Sequence, residues 1–445
     1  MAKVIRSEGT SNTPAPQSFA ALRHPAYRTY FITSALAMMA DSIEHVISYW
    51  MMFQKFQSPA LGGFAAIAHW LPFLLFSMYS GALADRFDPR RIIQLGMGLF
   101  MLVSIGWGWV FLSGAAEMWH AVVLLILHGF AGVLWMPSNQ LLLHDIVGPE
   151  HLQSAIRLNA TSRWLGLLMG PAVGAGIMML MGATAGIFFN VLIYLPLVLW
   201  LWKAPYGPKF RKNTLLGTGA DTRAGARTDG RADTPASTPA PRPALRGRAD
   251  IAATLRVVKQ HPVLLSMTLL AGCASMMVGN AYHAQMPEYA QDLGHGNADF
   301  WYSMLLAADA AGALTAGLAL EARGLLRANT RTAFILALLW CGALGGFALA
   351  PAYPLALALL FAAGFLELAL YTMTQTLVQV HAPAEVRGRV IGLYAMSALG
   401  LRTFSGVTVG MFGAVAGIHT SLAWSALVLA VLVAALFVWT WRRAP

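Results

Sequence analysis

Twelve stretches of this chain are each long and apolar enough to cross a bilayer, and no other feature constrains the fold as strongly. A hydrocarbon core of about 30 Å is spanned by about 20 apolar residues of helix. Lipid offers no partner to a bare backbone group, so each span must satisfy its own hydrogen bonds. The runs lie near 28–53, 60–82, 92–112, 119–142, 157–181 and 184–203, then near 262–287, 298–320, 332–351, 354–379, 388–412 and 417–441. Composition agrees: 57% of residues are hydrophobic and 11% charged, with mean hydropathy +0.59, whereas soluble domains average about 25% charged. The expected fold is an all-α membrane protein with twelve transmembrane helices in two six-helix bundles.

Polar segments divide the chain. Residues 1–22 carry no apolar core of signal-peptide type and are expected to be a disordered cytoplasmic tail. Residues 204–250, rich in Gly, Ala, Thr, Pro and Arg, are expected to be a disordered basic linker between bundles at 23–203 and 251–445. The net charge of +11 sits where insertion, not nucleic acid, explains it: Arg86, Arg90 and Arg91 follow the second run, Arg323 and Arg327 the eighth, Arg387 and Arg389 the tenth. Loops after odd-numbered runs are nearly free of Lys and Arg, with Lys55 the outlier, so both termini are expected to be cytoplasmic.

The halves repeat each other. His24-Pro25 precedes the first run and His261-Pro262 the seventh; "GALAD" at 81–85 answers "GLALE" at 317–321; "QLLLHDIVGPE" at 140–150 answers "QTLVQVHAPAE" at 375–385. The three offsets are 237, 236 and 235 residues. Parallel repeats of this kind are a transporter architecture, with the binding site near the bilayer midplane between them.

Two motifs carry a family resemblance. "GALADRFDPRR", Gly81 to Arg91, resembles the loop 2–3 signature of the major facilitator superfamily, G-x-L-A-D-R-x-G-R-R/K-R/K, keeping Gly81, Leu83, Asp85, Arg86, Arg90 and Arg91 but placing Asp88 and Pro89 where Gly and a basic residue are usual. The resemblance implies that Gly81, Asp85, Arg86, Arg90 and Arg91 form a gate joining the second helix to the eleventh. "GLLMGPAVGAG", with Gly166, Gly170, Pro171 and Gly174, resembles the fifth-helix packing motif of that family's proton antiporters, with Ala175 in place of its last Gly. In style the chain is most similar to the family's enterobactin and macrolide exporters. The resemblance implies a secondary-active exporter in a bacterial inner membrane. Its implied partners are a small-molecule substrate, protons and the lipid bilayer, with no cofactor and no nucleic acid, and it is expected to act as a monomer.

Charge inside the spans narrows the site. An ionisable group at the bilayer centre costs at least about 2.5–3.5 kcal/mol, so it usually faces the bundle interior or a cavity. Candidates are Asp41, Glu44 and His45 in the first run, His69, His128, Asp309, Glu367 and Arg402. At 100° per residue, Asp41, Glu44, His45, Ser48 and Met52 share one helix face, which is expected to line the cavity. Asp41 is expected to bond to neighbouring helix ends or Arg163 if that face is structural, and Arg402 to pair with Asp309 or Glu367. Trp70, Trp135, Trp164 and Tyr371 are candidates for an aromatic pocket.

Three functions use these residues. The first is proton-coupled export of an amphiphilic drug or siderophore, with Asp41, Glu44, His45, Glu367, Asp309 and Arg402 binding substrate or protons. The second is export of a divalent metal ion, since Asp41 and His45 at i and i+4 can ligate one ion, completed by His283 and Cys273. The third is a non-transporting receptor or scaffold. No GxSxG, HExxH or P-loop pattern marks an enzyme.

Overall fold

A computed structural model describes residues 18–56, 59–207, 248–294, 298–323 and 325–443. The first half contains α1 (Pro25–Phe56), α2 (Pro59–Arg86), α3 (Pro89–Ser113), α4 (Met118–Val147) and α5 (Leu152–Lys203). Gly182, at φ 78, breaks α5 into the fifth and sixth spans. A short helix, α6 (Arg248–Gln260), precedes the second half: α7 (Pro262–Met277), α8 (Ala298–Ala322), α9 (Thr330–Ala348), α10 (Tyr353–His381), α11 (Arg387–Ala395) and α12 (Ile418–Arg443). The eleventh span continues α11 through π-helical turns at Met396–Gly400 and Gly406–Met411. Ten helical stretches among the described residues are long and apolar enough to cross a membrane. Together with α1 and the first part of α5 they are consistent with the twelve-helix layout.

Local sequence explains the ends that position the site. Asp88 caps α3, its Oδ1 accepting the Arg90 N–H at 3.0 Å with Pro89 opening the helix. The seventh span is interrupted beyond α7 by Gly279 at φ 53, a backbone that L side chains adopt rarely. The chain then passes through a 3-10 turn, Ala281–Gln285, which carries His283. Irregular backbone at this depth is tolerated where it lines a cavity.

Each half has its own core. Tyr27, Tyr30, Phe100 and Tyr194 are buried together in the first, with Ile43 and Ile47 in a second cluster alongside. The second half centres on Tyr282, Phe334, Phe347 and Leu360. The halves meet along α2 and α11. A Cβ on Gly81 would run into the Gly388 carbonyl, and one on Gly388 into the Gly81 carbonyl and the Asp85 carboxylate. Small residues thus bring the two backbones together, as is usual for helix contacts in lipid.

The linker expected at 204–250 lies largely outside the described residues, as does the tail up to residue 17. Residues 18–22, assigned to that tail by composition, differ from the expectation. Ala20–Arg23 form a helical turn, Ala20 and Ala21 are buried, and the Ala21 N–H donates to Ser154 Oγ at 3.0 Å.

Candidate functional site

Between the halves lies a cavity of about 380 Å³. The first half contributes Asp41 and His45 from α1, His69 and Trp70 from α2, and Arg163 and Trp164 from α5. The second contributes His283, Glu367, Tyr371 and Arg402.

Close packing of α5 on α1 holds the first-half wall. Gly166 lies against Met38, Gly170 against Ser42 and Gly174 against Ile43 and Val46. A Cβ on Gly170 would collide with the Ser42 side chain, next to Asp41. The glycine motif therefore sets the depth and rotation of the helix that carries the acids.

Those acids part ways. Asp41 and His45 face the cavity, but Glu44 does not reach it. Glu44 is 1% exposed and turns into the first bundle, where it accepts from the Ser104 hydroxyl and from His128 Nδ1 at 2.8 Å. Asn190 extends the network, donating to the Ala40 carbonyl at 2.9 Å and to Ser104 Oγ at 3.4 Å. His128 Nε2 lies 3.2 Å from Asp41 Oδ1. His45 Nδ1 donates to the Asp41 carbonyl at 2.7 Å. The shared face read from helical periodicity is thus split: three positions along, a side chain already leans toward the neighbouring helices. Met52 is likewise buried in the core. Ile43 and Ile47, on the other side, pack fully inside.

The second half pairs its acids differently. Arg402 Nη2 lies 3.4 Å from Glu367 Oε1, and its guanidinium stands 5.3 Å over the ring of Trp70 across the cavity. Asp309 is buried behind the cavity, with His283 Nε2 at 3.2 Å from its Oδ2 and the Tyr282 hydroxyl at 3.5 Å from its Oδ1. His283 therefore serves Asp309, and neither it nor Cys273 joins Asp41 and His45. Asp41 contacts His128, not Arg163. Trp70, Trp164 and Tyr371 line the cavity, whereas Trp135 is buried in the first-half core.

At the end carrying the described chain ends, the halves are stitched together. Asp85 accepts the Gly388 and Arg389 N–H groups at 2.6 and 2.9 Å, with Arg389 Nε 3.7 Å away. These N–H groups open α11, where the helix dipole favours a carboxylate. Gln379 donates to Gln140 at 2.7 Å and Arg387 to His144 at 3.1 Å. Arg90 folds back on Asp88 at 2.6 Å and onto the Ala204 carbonyl. Arg91 reaches Gln94 and Trp202, and Arg86 lies over Phe87. Of the motif, Gly81 and Asp85 bridge the halves directly, and Arg86, Arg90 and Arg91 brace the first half.

A second stitch joins α5 to the end of α8. Arg157 donates to the Leu320, Leu325 and Leu326 carbonyls, Gln153 donates to Leu326 at 2.7 Å, and Ser154 donates to Glu321. Glu321 occupies the repeat position of Asp85, so the second-half loop keeps an acid that works at the same junction. Sequence reasoning did not single out Gln153, Ser154, Arg157 or Ser104. The offset of 236 residues between Asp85 and Glu321 was the signal for this second junction.

The Major Facilitator Superfamily profile matches residues 30–401, and the chain belongs to that superfamily of transporters. It is 24% identical over 384 residues to the enterobactin exporter EntS of Shigella boydii, covering 83% of this chain and 81% of that protein. It is 26% identical over 164 residues to the uncharacterized MFS-type transporter YfiS of Bacillus subtilis, a match spanning only 37% of that protein's length. The proton:xylose symporter XylE superposes with a TM-score of 0.70 at 13% identity, over 95% of this chain and 96% of that one. That likeness speaks for the fold alone.

Proposed function

We propose that this protein is a secondary-active exporter that expels an amphiphilic small molecule by alternating access in exchange for protons. The cavity carries the reading. Its volume of about 380 Å³ falls within the range of sites for drug-sized ligands, and it lies between two repeated halves. Its walls combine the flat faces of Trp70, Trp164 and Tyr371 with the charges of Arg163, Glu367 and Arg402. The enterobactin exporter among its relatives and the glycine motif of α5 favour export over import.

Positive charge in its loops supports a cytoplasmic side for the stitched end and both termini, and the enterobactin exporter among its relatives supports a bacterial inner membrane. The conformation is then closed inward, with Asp85 and Glu321 as its two latches. The coupling proton is assigned to Glu367, which faces the cavity among Arg402, Asp309, His283 and Arg163. Protonating Glu367 releases Arg402, which also leans on Trp70 of the other half. One proton thereby changes contacts across the interface. The chain acts as a monomer, since each chain holds a complete cavity.

The test is transport of a fluorescent amphiphile into proteoliposomes, with and without an imposed pH gradient. Wild type should respond to the gradient, and Glu367→Gln should move substrate without responding to it. Uptake in wild type that ignores the gradient would overturn the antiport reading. Gradient-driven uptake retained by Glu367→Gln would remove Glu367 from it.

A further inference from the structure

The first-half wall contains a group of donors that proton exchange at Glu367 does not use. His45, His69 and His128 come from three different helices, and one ring nitrogen of each lies within 4.8 Å of the others. Their rings pack at centroid separations of 4.5 Å for His45–His128, 5.3 Å for His45–His69 and 5.5 Å for His69–His128. Asp41 Oδ1 is 3.2 Å from His128 Nε2, yet neither atom makes a hydrogen bond of proper geometry. His69 Nδ1 is buried and also lacks a partner.

The tautomers point the same way. His128 donates its Nδ1–H to Glu44, which leaves Nε2 free toward Asp41. His45 donates its Nδ1–H to the Asp41 carbonyl, which leaves its own Nε2 free. A histidine that ligates a metal usually gives its other N–H to a carboxylate or a backbone carbonyl, which fixes the ring and raises its basicity. Both arrangements occur here, on adjacent rings.

Charge gives a second argument. Asp41 on the cavity wall and Glu44 behind it are two carboxylates, and among the described residues His128 is the ion-pair partner of both. A divalent cation held by three neutral imidazoles and Asp41, with Glu44 behind His128, brings the sum to zero. Unbalanced charge in a low-dielectric interior is costly.

We propose that His45, His69, His128 and Asp41 bind one divalent transition-metal ion of the zinc, cobalt or iron(II) class on the cavity wall. Three imidazoles and one carboxylate suit such ions, whereas magnesium and calcium take oxygen sets. With metal–nitrogen bonds of about 2.0–2.1 Å, tetrahedral ligands stand roughly 3.3 Å apart. Asp41 and His128 already stand at that separation, and the imidazole nitrogens close up by about an ångström or more through side-chain rotation. Asp41, His45 and His69 line the cavity, so the ion enters from it. All four donors belong to the first half, so a bound ion travels with that half and leaves alternating access free. The site makes such an ion a cargo of the transporter. It differs from the metal set read from sequence, which drew on His283 and Cys273. The proposal does not rest on the proton-coupled reading, because its test is equilibrium binding.

Tag-free purified protein is titrated with Co²⁺ and followed by its visible absorption, then by displacement with Zn²⁺. Wild type should bind one equivalent and show the intense bands of a four-coordinate site. His69→Ala should lose at least tenfold in affinity, and Glu44→Gln, one step from the ion, about 10–100-fold. His283→Ala, outside the cluster, should bind like wild type, and thermal melting without metal checks that each variant is folded. Failure of wild type to bind more tightly than a His45→Ala/His69→Ala double variant overturns the proposal. Equal binding of Mg²⁺, or equal loss in His283→Ala, does so too. Uptake of ⁶⁵Zn²⁺ into liposomes above that of the double variant supports the ion as cargo. Tight binding with no uptake overturns that part.

Discussion

The two halves share a fold and a repeat, but they treat the acid that faces the cavity in opposite ways. The first half surrounds Asp41 and Glu44 with imidazoles and neutral donors: His128, His45, Ser104 and Asn190. The second half gives Glu367 an arginine and leaves that pair at the cavity edge, with 14% and 16% of the side chains exposed. An arginine is charged at any working pH, so any change of charge within that pair falls to its acid. Imidazoles can be neutral, protonated or metal-bound. Duplicating a helical frame therefore does not duplicate its chemistry. The latches show the same asymmetry more mildly. Asp85 grips two backbone N–H groups of α11, whereas Glu321 takes Ser154 and a distant Arg157, 4.0 Å away.

The sharpest way to break the comparison is at the closest contact. Gly388→Val places side-chain atoms on the Gly81 carbonyl and the Asp85 carboxylate, neither of which can move away easily. Overpacking of this kind costs about 1–3 kcal/mol or more. The stitched state should lose roughly 10–100-fold in population, read by thiol labelling of Ala160→Cys in a Cys273→Ala/Cys341→Ala background. Next come the latches. Asp85→Asn weakens two charge-assisted bonds worth about 1.5–3 kcal/mol each, and should open that end by about tenfold or more in the same assay. Glu321→Gln should open it less, because Arg157 keeps the Leu320 and Leu326 carbonyls. An equal or larger effect would make the second latch the stronger one.

Within the first half, Ser104→Ala removes one donor from buried Glu44 and should lower stability by about 1–2 kcal/mol, measured by thermal unfolding in detergent. The smallest effect belongs to a contact outside both clusters. His419 and Asp292 lie 3.2 Å apart with 33% and 49% of their side chains exposed. Asp292→Asn should change stability by less than about 1 kcal/mol and leave labelling of the cavity unchanged.

Much of the cavity's charged lining was readable from the chain. Intramembrane ionisable residues are few, and Asp41, His45, Glu367 and Arg402 all line the cavity. Arg402 pairs with Glu367, one of the two acids considered for it. Glu44 was misplaced for a definite reason. Periodicity assigns a face to a helix axis, but a face about 100° wide touches both a cavity and its flanking helices, and neighbours decide which side chain points where. His128 and Ser104, 84 and 60 residues away along the chain, supplied the partners that draw Glu44 inward. Asp309 was likewise drawn off the cavity by Tyr282 and His283 on the broken end of the seventh span.

The chain alone determined the apolar runs, the repeat, the loop motif at Gly81–Arg91 and the short roster of charges in those runs. These follow from hydropathy and helical spacing, which are local and survive without knowledge of neighbours. Tertiary structure decided which charges meet. It folded Glu44 onto His128, gave Glu321 to Ser154, and set three histidines from α1, α2 and α4 around one point. Such meetings depend on the rotation and depth of each helix against the next. Those are fixed by packing, as where Gly170 seats α5 on Ser42 of α1, and no single segment carries that information.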